Sequence, residues 1–426
     1  MTDHPTPTGP LRGLRVLELG NYIAAPTTGR MLADFGAEVI KVERPGRGDE
    51  LRNWRLYEGT TSMLFRTLNR NKRSIVVDLR SEAGRALILD LLPHCDVLLE
   101  NFRPGTLEKW GLGSAALDAA NPDLVLARIS AFGQTGPMSA MPGFAAVAEA
   151  YGGFRELVGE PDGPPVRVGV SIGDTIAGMQ AAYGVMMLLY RRAAEAAGNP
   201  GDHSSGPPPA RPLSERTVDV ALNEAMLSVT ESLVPDYGAY GVLRTRTGGR
   251  MEGIAPSNAY ACADGRSVVI AGNGDGIYQR LMEAIGRRDL GADTHLQTNA
   301  GRWARREELD KAIGTWCGGR ESTAVLDALS AVGVPAGPIY RADDLVADPQ
   351  LAARDMIQRL DVSTGERMLE GVPFPGIVPV LRGRSEPIQS LGHDLGADTG
   401  AVLQEVLGWG DEQVAAYEAL LIEDGN

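Results

Sequence analysis

The residues of this chain best suited to chemistry lie in Arg167-Val168-Gly169-Val170-Ser171-Ile172-Gly173-Asp174-Thr175-Ile176-Ala177-Gly178-Met179. The pattern predicts a short β-branched strand, a glycine turn and a long apolar helix that starts at Asp174. A helix N-terminus gathers unpaired N–H groups and about half a positive charge, a field that keeps a carboxylate ionised. Held there, Asp174 can cap the helix or attack an acyl carbon as a nucleophile, and residue type leaves both open. The same stretch contains Gly169-Val170-Ser171-Ile172-Gly173, a G-x-S-x-G match, with His295 and His393 downstream in the order a serine hydrolase needs. No HGGG-type motif precedes it, and a five-residue pattern is loose in a chain with 53 glycines. A hydrolase using Ser171 is therefore the alternative reading.

A second set of residues suits a polyanionic ligand. Arg44 follows the apolar run Glu38–Glu43, Arg103 follows Asp96–Glu100, and Lys109 comes a turn later. Cations at the carboxyl ends of strands can hold phosphates, although ordinary surface cations occupy such loops equally well. Nicotinamide dinucleotides are not expected. The turn Leu19-Gly20-Asn21-Tyr22-Ile23-Ala24 lacks GxGxxG, and Gly272–Gly276 is followed by Ile277 where a third glycine belongs. The five histidines and Cys95, Cys262 and Cys317 are scattered, so no metal framework is expected and the cysteines fit a reducing compartment.

Positioning these groups requires a scaffold. The 426 residues exceed one ordinary core, so two domains are expected. Forty-one basic against 55 acidic residues give a net charge of −14, which argues against a nucleic-acid partner. No signal segment and no apolar run of about 18 residues stands out, so the expectation is a cytoplasmic protein with no membrane partner. Short apolar runs at Leu14–Leu19, Glu38–Glu43, Ser74–Leu79, Asp96–Glu100 and Leu124–Ile129 alternate with helical patterns, the largest over Ala24–Phe35 and Glu82–Leu92. That alternation predicts an α/β fold with a doubly wound parallel sheet. A helix is expected over Glu215–Val234, two strands over Ser257–Ala263 and Ser267–Ala271, and three helices before Val332. The expected division is a large domain of residues 1–200 plus 342–426, a Pro/Ser-rich linker or insertion at 197–213, and a small α+β domain at 214–341.

The segments LRGLRVLELG, LADFGAEVIKVERPGRGD, LNRNKRSIVVDL, LLENFRPGTLEKWGLG, ARISAFGQTGP, PGFAAVAEAYGGF and VGVSIGDTIAGMQAAYG occur in this order. Together they resemble the class III CoA-transferases, the family of formyl-CoA transferase, L-carnitine CoA-transferase and α-methylacyl-CoA racemase, from Leu11 to about Tyr417. The resemblance implies a Rossmann-like large domain, an interlocked ring homodimer, acyl-CoA as substrate and no permanently bound cofactor. It places the family's catalytic carboxylate on Asp174, which would carry acyl and CoA groups as anhydride and thioester in a site that keeps water out. It implies CoA contacts at Ile23, Ala24, Arg44, Val77, Asp78, Leu79, Arg80, Asn101, Phe102, Arg103 and Lys109. Gly248 and Gly249 look like part of the glycine loop that covers the acyl site. Racemases of the family carry a histidine where this chain has Phe144, so a two-base racemase lacks one base, and an acyl-CoA racemase or epimerase of the same family is the further alternative. Formyl-CoA transferase has Tyr-Glu where this chain has Phe144-Ala145. The apolar pair suggests a roomier acyl pocket for a C4–C6 dicarboxylate or larger organic acid, with succinyl-CoA as the donor.

Overall fold

The computed structural model describes residues 9–59, 61–197, 211–381, 383 and 385–423. Most of the linker expected at 197–213 lies outside the described residues. Six parallel strands build the large sheet: β1 (Arg15–Glu18), β2 (Glu38–Glu43), β3 (Lys72–Val76), β4 (Val97–Glu100), β5 (Val125–Ser130) and β6 (Thr217–Ala221). Their order is β3-β2-β1-β4-β5-β6, with every neighbouring pair parallel. This is the order of a doubly wound nucleotide-binding sheet, whose direction of winding reverses between β1 and β4.

Successive strand residues point to opposite faces, and both faces are covered. Leu17, Ile40, Ile75 and Leu98 pack with Leu87, Leu91, Val402 and Leu403 on one side. Val16, Val39, Val97 and Val125 pack on the other, against Ala25 and Leu32 of α1 (Ala24–Asp34) and Ala177, Ala181 and Val185 of a 25-residue helix. The first of these faces includes α2 (Glu82–Leu91). Between β5 and β6 the chain forms α3 (Ala145–Tyr151) and the 25-residue α4 (Ile172–Ala196), and after β6 comes α5 (Leu222–Leu227).

The 25-residue α4 is long and apolar enough to cross a membrane by length and composition alone, although Asp174, Gln180 and Arg191 interrupt its apolar run. Its alanine-rich face nonetheless lies on the sheet and on α1, as in the core helix of a globular fold.

Two expectations change. Glu215–Val234 is not one helix, because Thr217–Ala221 alternates β-branched residues and pairs in register with Leu126–Ser130 to close the sheet edge. Arg167–Val170 is not a strand: it has β-branched residues but lies in irregular backbone before α4.

The chain divides into two compact units. The first comprises Met1–Phe154, Val168–Thr230 and Pro349–Asn426, and the second Arg155–Arg167 and Glu231–Asp348. The longer segment of the second unit begins at Glu231, since β6 and α5 belong to the first. It contains an antiparallel sheet of β7 (Ser257–Ala261), β8 (Ser267–Ala271) and β9 (Ala336–Pro338), with β8 central. Helices over Asp275–Ala284, Arg306–Gly318 and Ser322–Ala331 bury Tyr278, Leu281, Ile313 and Leu329 against it.

Candidate active site

A cleft of about 390 Å³ opens at the carboxyl ends of β1 to β4. Its walls come from Leu19 after β1, Val42–Pro45 at β2, Val77–Arg80 after β3, and Phe102 and Trp110 after β4. This is where a ligand sits in a doubly wound fold, beside the reversal point. Asn101 locks that point: its Oδ1 accepts from the Asn21 backbone N–H at 2.9 Å and its Nδ2 donates to the Asn21 carbonyl at 2.7 Å. Phe102 and Trp110 meet edge to face at 5.2 Å, giving the cleft an apolar wall. Arg44 is half exposed at the rim and pairs with Glu50 at 2.7 Å.

Of the residues that the resemblance assigns to CoA, Arg44, Val77, Asp78, Leu79, Arg80 and Phe102 line the cleft. Arg103 and Lys109 are exposed on the segment joining Phe102 to Trp110. Ile23 and Ala24 are not brought into it. Ile23 is buried with Leu51, Phe65 and Leu68, and Ala24 is buried against the sheet. Trp110 was legible in LEKWGLG, one residue past Lys109. Leu19, Val42 and Glu43 were not, because strand-end core residues look like any others until the strands are ordered.

A buried ion cluster supports the turn from β1 to α1. Lys41 Nζ donates to Glu18 at 3.1 Å, to Asp49 at 2.7 Å and to the Gly20 carbonyl at 2.9 Å. Lys72 Nζ donates to both Glu18 oxygens, at 3.0 and 2.8 Å, and to the Pro26 carbonyl at 2.8 Å. Asp49 also accepts the Tyr22 backbone N–H at 3.2 Å. Two cations and two carboxylates, all almost wholly buried, thus grip the turn at three points. Burial lowers Lys72 to about 8 and, together with repulsion from Lys41, outweighs the pull of Glu18. Nearby, burial would raise Glu43, but hydrogen bonds from Arg52 and the Arg52 and Lys41 charges hold it below the usual carboxylate range. Glu100, at the end of β4, is pushed up to about 7 by burial despite Arg128 at 2.6 Å.

Asp174 is the third residue of α4, not its N-cap. The N-cap is Ser171, whose side chain makes no capping hydrogen bond. Residues four apart share a helix face, so Asp174 lies on the face of Gly178. There α4 and α1 approach closely: a Cβ on Gly178 would lie 2.7 Å from the Ala24 carbonyl oxygen and 2.9 Å from Thr27 Cβ. The Thr28 hydroxyl donates to the Gly178 carbonyl at 3.0 Å. On the other flank a Cβ on Gly173 would come within 3.1 Å of Glu149 Cγ, from α3. Asp174 thus stands in the chain between Gly173, packed on α3, and Gly178, packed on the start of α1.

The strand–turn–helix geometry that a Ser171 elbow requires is missing, since no strand precedes Ser171. His393 pairs through Nδ1 with Asp398 at 2.7 Å, at the start of the helix Thr399–Leu407, and His295 belongs to the second unit. Phe144 is the N-cap of α3 and two-thirds exposed, while Ala145 is buried. Gly248 and Gly249 lie in the second unit, where the Gly248 N–H donates to the Gly159 carbonyl at 3.0 Å. Burial raises the Cys95 and Cys317 thiols to about 12, so neither is a ready thiolate.

The sheet order and the basic-rimmed cleft at its reversal point define a doubly wound α/β protein with a candidate ligand cleft. A model of CoA-transferase family III matches residues 11–399. The succinyl-CoA–D-citramalate CoA-transferase of Chloroflexus aurantiacus is 40% identical over 415 residues, 97% of this chain and 98% of that protein. The β subunit of succinyl-CoA–L-malate CoA-transferase from the same organism is 36% identical over 97% of this chain and 98% of its own. The crystal structure of a CAIB/BAIF family protein from Brucella suis matches with a TM-score of 0.78 at 32% identity, over 94% of this chain and 100% of that one. The chain belongs to CoA-transferase family III and is a CoA-transferase.

Proposed function

We propose that this enzyme moves CoA from succinyl-CoA to a short dicarboxylic acid, with Asp174 as the covalent carrier. The observation that carries the reading is the place of Asp174 in the first turn of α4, between Gly173 packed on α3 and Gly178 packed on the start of α1, the helix that follows the β1 end of the cleft. Relatives named for succinyl-CoA as donor and for citramalate or malate as acceptor support the substrate class.

The Asp174 carboxylate attacks the thioester carbonyl, giving a mixed anhydride and releasing CoA as its thiolate. The thiolate attacks the aspartyl carbonyl of that anhydride, giving aspartyl-CoA thioester and free succinate. The acceptor carboxylate then attacks the thioester, forming a second anhydride and releasing the thiolate again. Finally the thiolate attacks the acceptor carbonyl, which yields the new acyl-CoA and restores Asp174. A carboxylate suits this role because it forms both intermediates and is also a good leaving group. Arg44, Arg80, Arg103 and Lys109 serve the nucleotide phosphates. In the test, protein incubated with succinyl-CoA alone gains the mass of CoA less one water on the peptide that holds Asp174. A protein that never acquires the adduct, and transfers no CoA to malate, citramalate or glutarate, refutes the assignment.

The protein works as an interlocked homodimer in this reading. Support comes from the outer face of α4, where Met179, Tyr183, Met187 and Tyr190 are all about half or more exposed. Such a stripe marks an interaction surface. Light scattering is expected to give twice the chain mass, and Tyr183→Glu with Tyr190→Glu to lower it. A monomeric native protein contradicts the dimer.

A further inference from the structure

Tyr22 sits in the β1–α1 turn with φ +63°. For a residue with a large side chain this left-handed backbone is strained, and it persists where the surroundings fix it. Glycine adopts the same backbone freely. The strain is therefore kept for the ring. That ring meets Trp54 edge to face at 5.5 Å and Phe144 at 6.0 Å. Trp54 is 44% and Phe144 66% exposed, so the trio is an open apolar wall and not part of a core.

The wall joins the two halves of the site. Ala24, two residues beyond Tyr22, is the residue that touches Gly178 one turn from Asp174. Phe144 caps α3, the helix whose Glu149 abuts Gly173. Trp54 follows the turn Glu50–Asn53, whose Glu50 pairs with Arg44 at the cleft rim. A thioester with its nucleotide in the cleft and its carbonyl at Asp174 passes along these rings.

We propose that Tyr22 is a specificity-determining residue. Braced by Trp54 and Phe144, its ring sets the length of acid that fits at Asp174, favouring acids of four or five carbons. The proposal rests on the CoA-transfer reading above. It is tested by steady-state kinetics with succinyl-CoA as donor and glutarate or adipate as acceptor. Tyr22→Gly suits the turn backbone, so its thermal midpoint stays at or above that of the native protein. Its kcat/KM ratio is expected to move about tenfold or more toward adipate, whereas Tyr22→Phe keeps the ratio within about twofold. Phe144→Ala, which removes an exposed brace, shifts the ratio in the same direction and tests the wall even if Tyr22→Gly does not fold. An unchanged ratio in folded Tyr22→Gly or in Phe144→Ala, with the Asp174–CoA adduct still forming, overturns the role of the ring alone. Failure of the native protein to form the adduct or transfer CoA overturns the reading beneath it as well.

Discussion

Replacing Asp174 with Ala is expected to remove CoA transfer, lowering kcat by on the order of 10⁴- to 10⁶-fold, as removal of a covalent nucleophile does. The fold should hardly register the change. An acidic residue in the first turn of a helix contributes about 0.3–1 kcal/mol, which corresponds to a fall of at most a few degrees in thermal midpoint. CoA binding should persist, because the cleft at β1 to β4 owes none of its walls to α4. Asp174→Asn is the sharper variant: it keeps the shape and one accepting oxygen but cannot form an anhydride. Both are to be measured by turnover, by melting and by intact mass after incubation with succinyl-CoA. The opposite pattern, a marked loss of stability with turnover preserved, is what a purely structural aspartate would give. It would remove Asp174 from the chemistry.

How much of this was legible before the fold was known depends on where each residue sits. Five strands of the large sheet read clearly, because a strand covered on both faces is a nearly continuous apolar run. β3 was displaced, to 74–79 in place of Lys72–Val76, because Lys72 and Arg73 look like surface cations. In the structure the Lys72 ammonium is enclosed by Glu18, the Pro26 carbonyl and Asn69, so a charged residue opens a buried strand. β6 was hidden because only its register against Leu126–Ser130 separates it from the helix that follows. Arg167–Val170 had strand-like residue types without a neighbour to pair with, and composition cannot supply a ladder partner. Arg44 and Val77–Arg80 followed from motif order, whereas Ile23 and Ala24 turned out buried. The aromatic contact of Tyr22 with Trp54 and Phe144 joins residues up to 122 positions apart, and no local pattern encodes it.

The largest effect on stability is expected from Lys41→Met. Lys41 lies in the middle of β2 and is 1% exposed, with Glu18, Asp49 and the Gly20 carbonyl all within 3.1 Å of its ammonium. Burial alone would lower its proton affinity. The charges of Asp49, Glu18 and Glu43 outweigh burial and hold the ammonium well above the ordinary lysine range. Methionine keeps the length of the stem but leaves two buried carboxylates with one cation between them. Removing one partner of a buried pair costs about 3–5 kcal/mol, chiefly through the charge left behind. Lys72, freed from repulsion by Lys41, then holds its proton more firmly, which favours the lower end of that range. The loss is read as a fall in the calorimetric midpoint, with Arg73→Met as the control. Arg73 bridges Glu38 and Glu405 nearer the surface, and its loss should cost about 1 kcal/mol or less. Lys41→Met should also weaken CoA binding, because the Gly20 carbonyl and the Tyr22 N–H are held by this cluster at the cleft's edge. If Lys41→Met melts no lower than Arg73→Met and binds CoA as the native protein does, the cluster is not what fixes the β1–α1 turn.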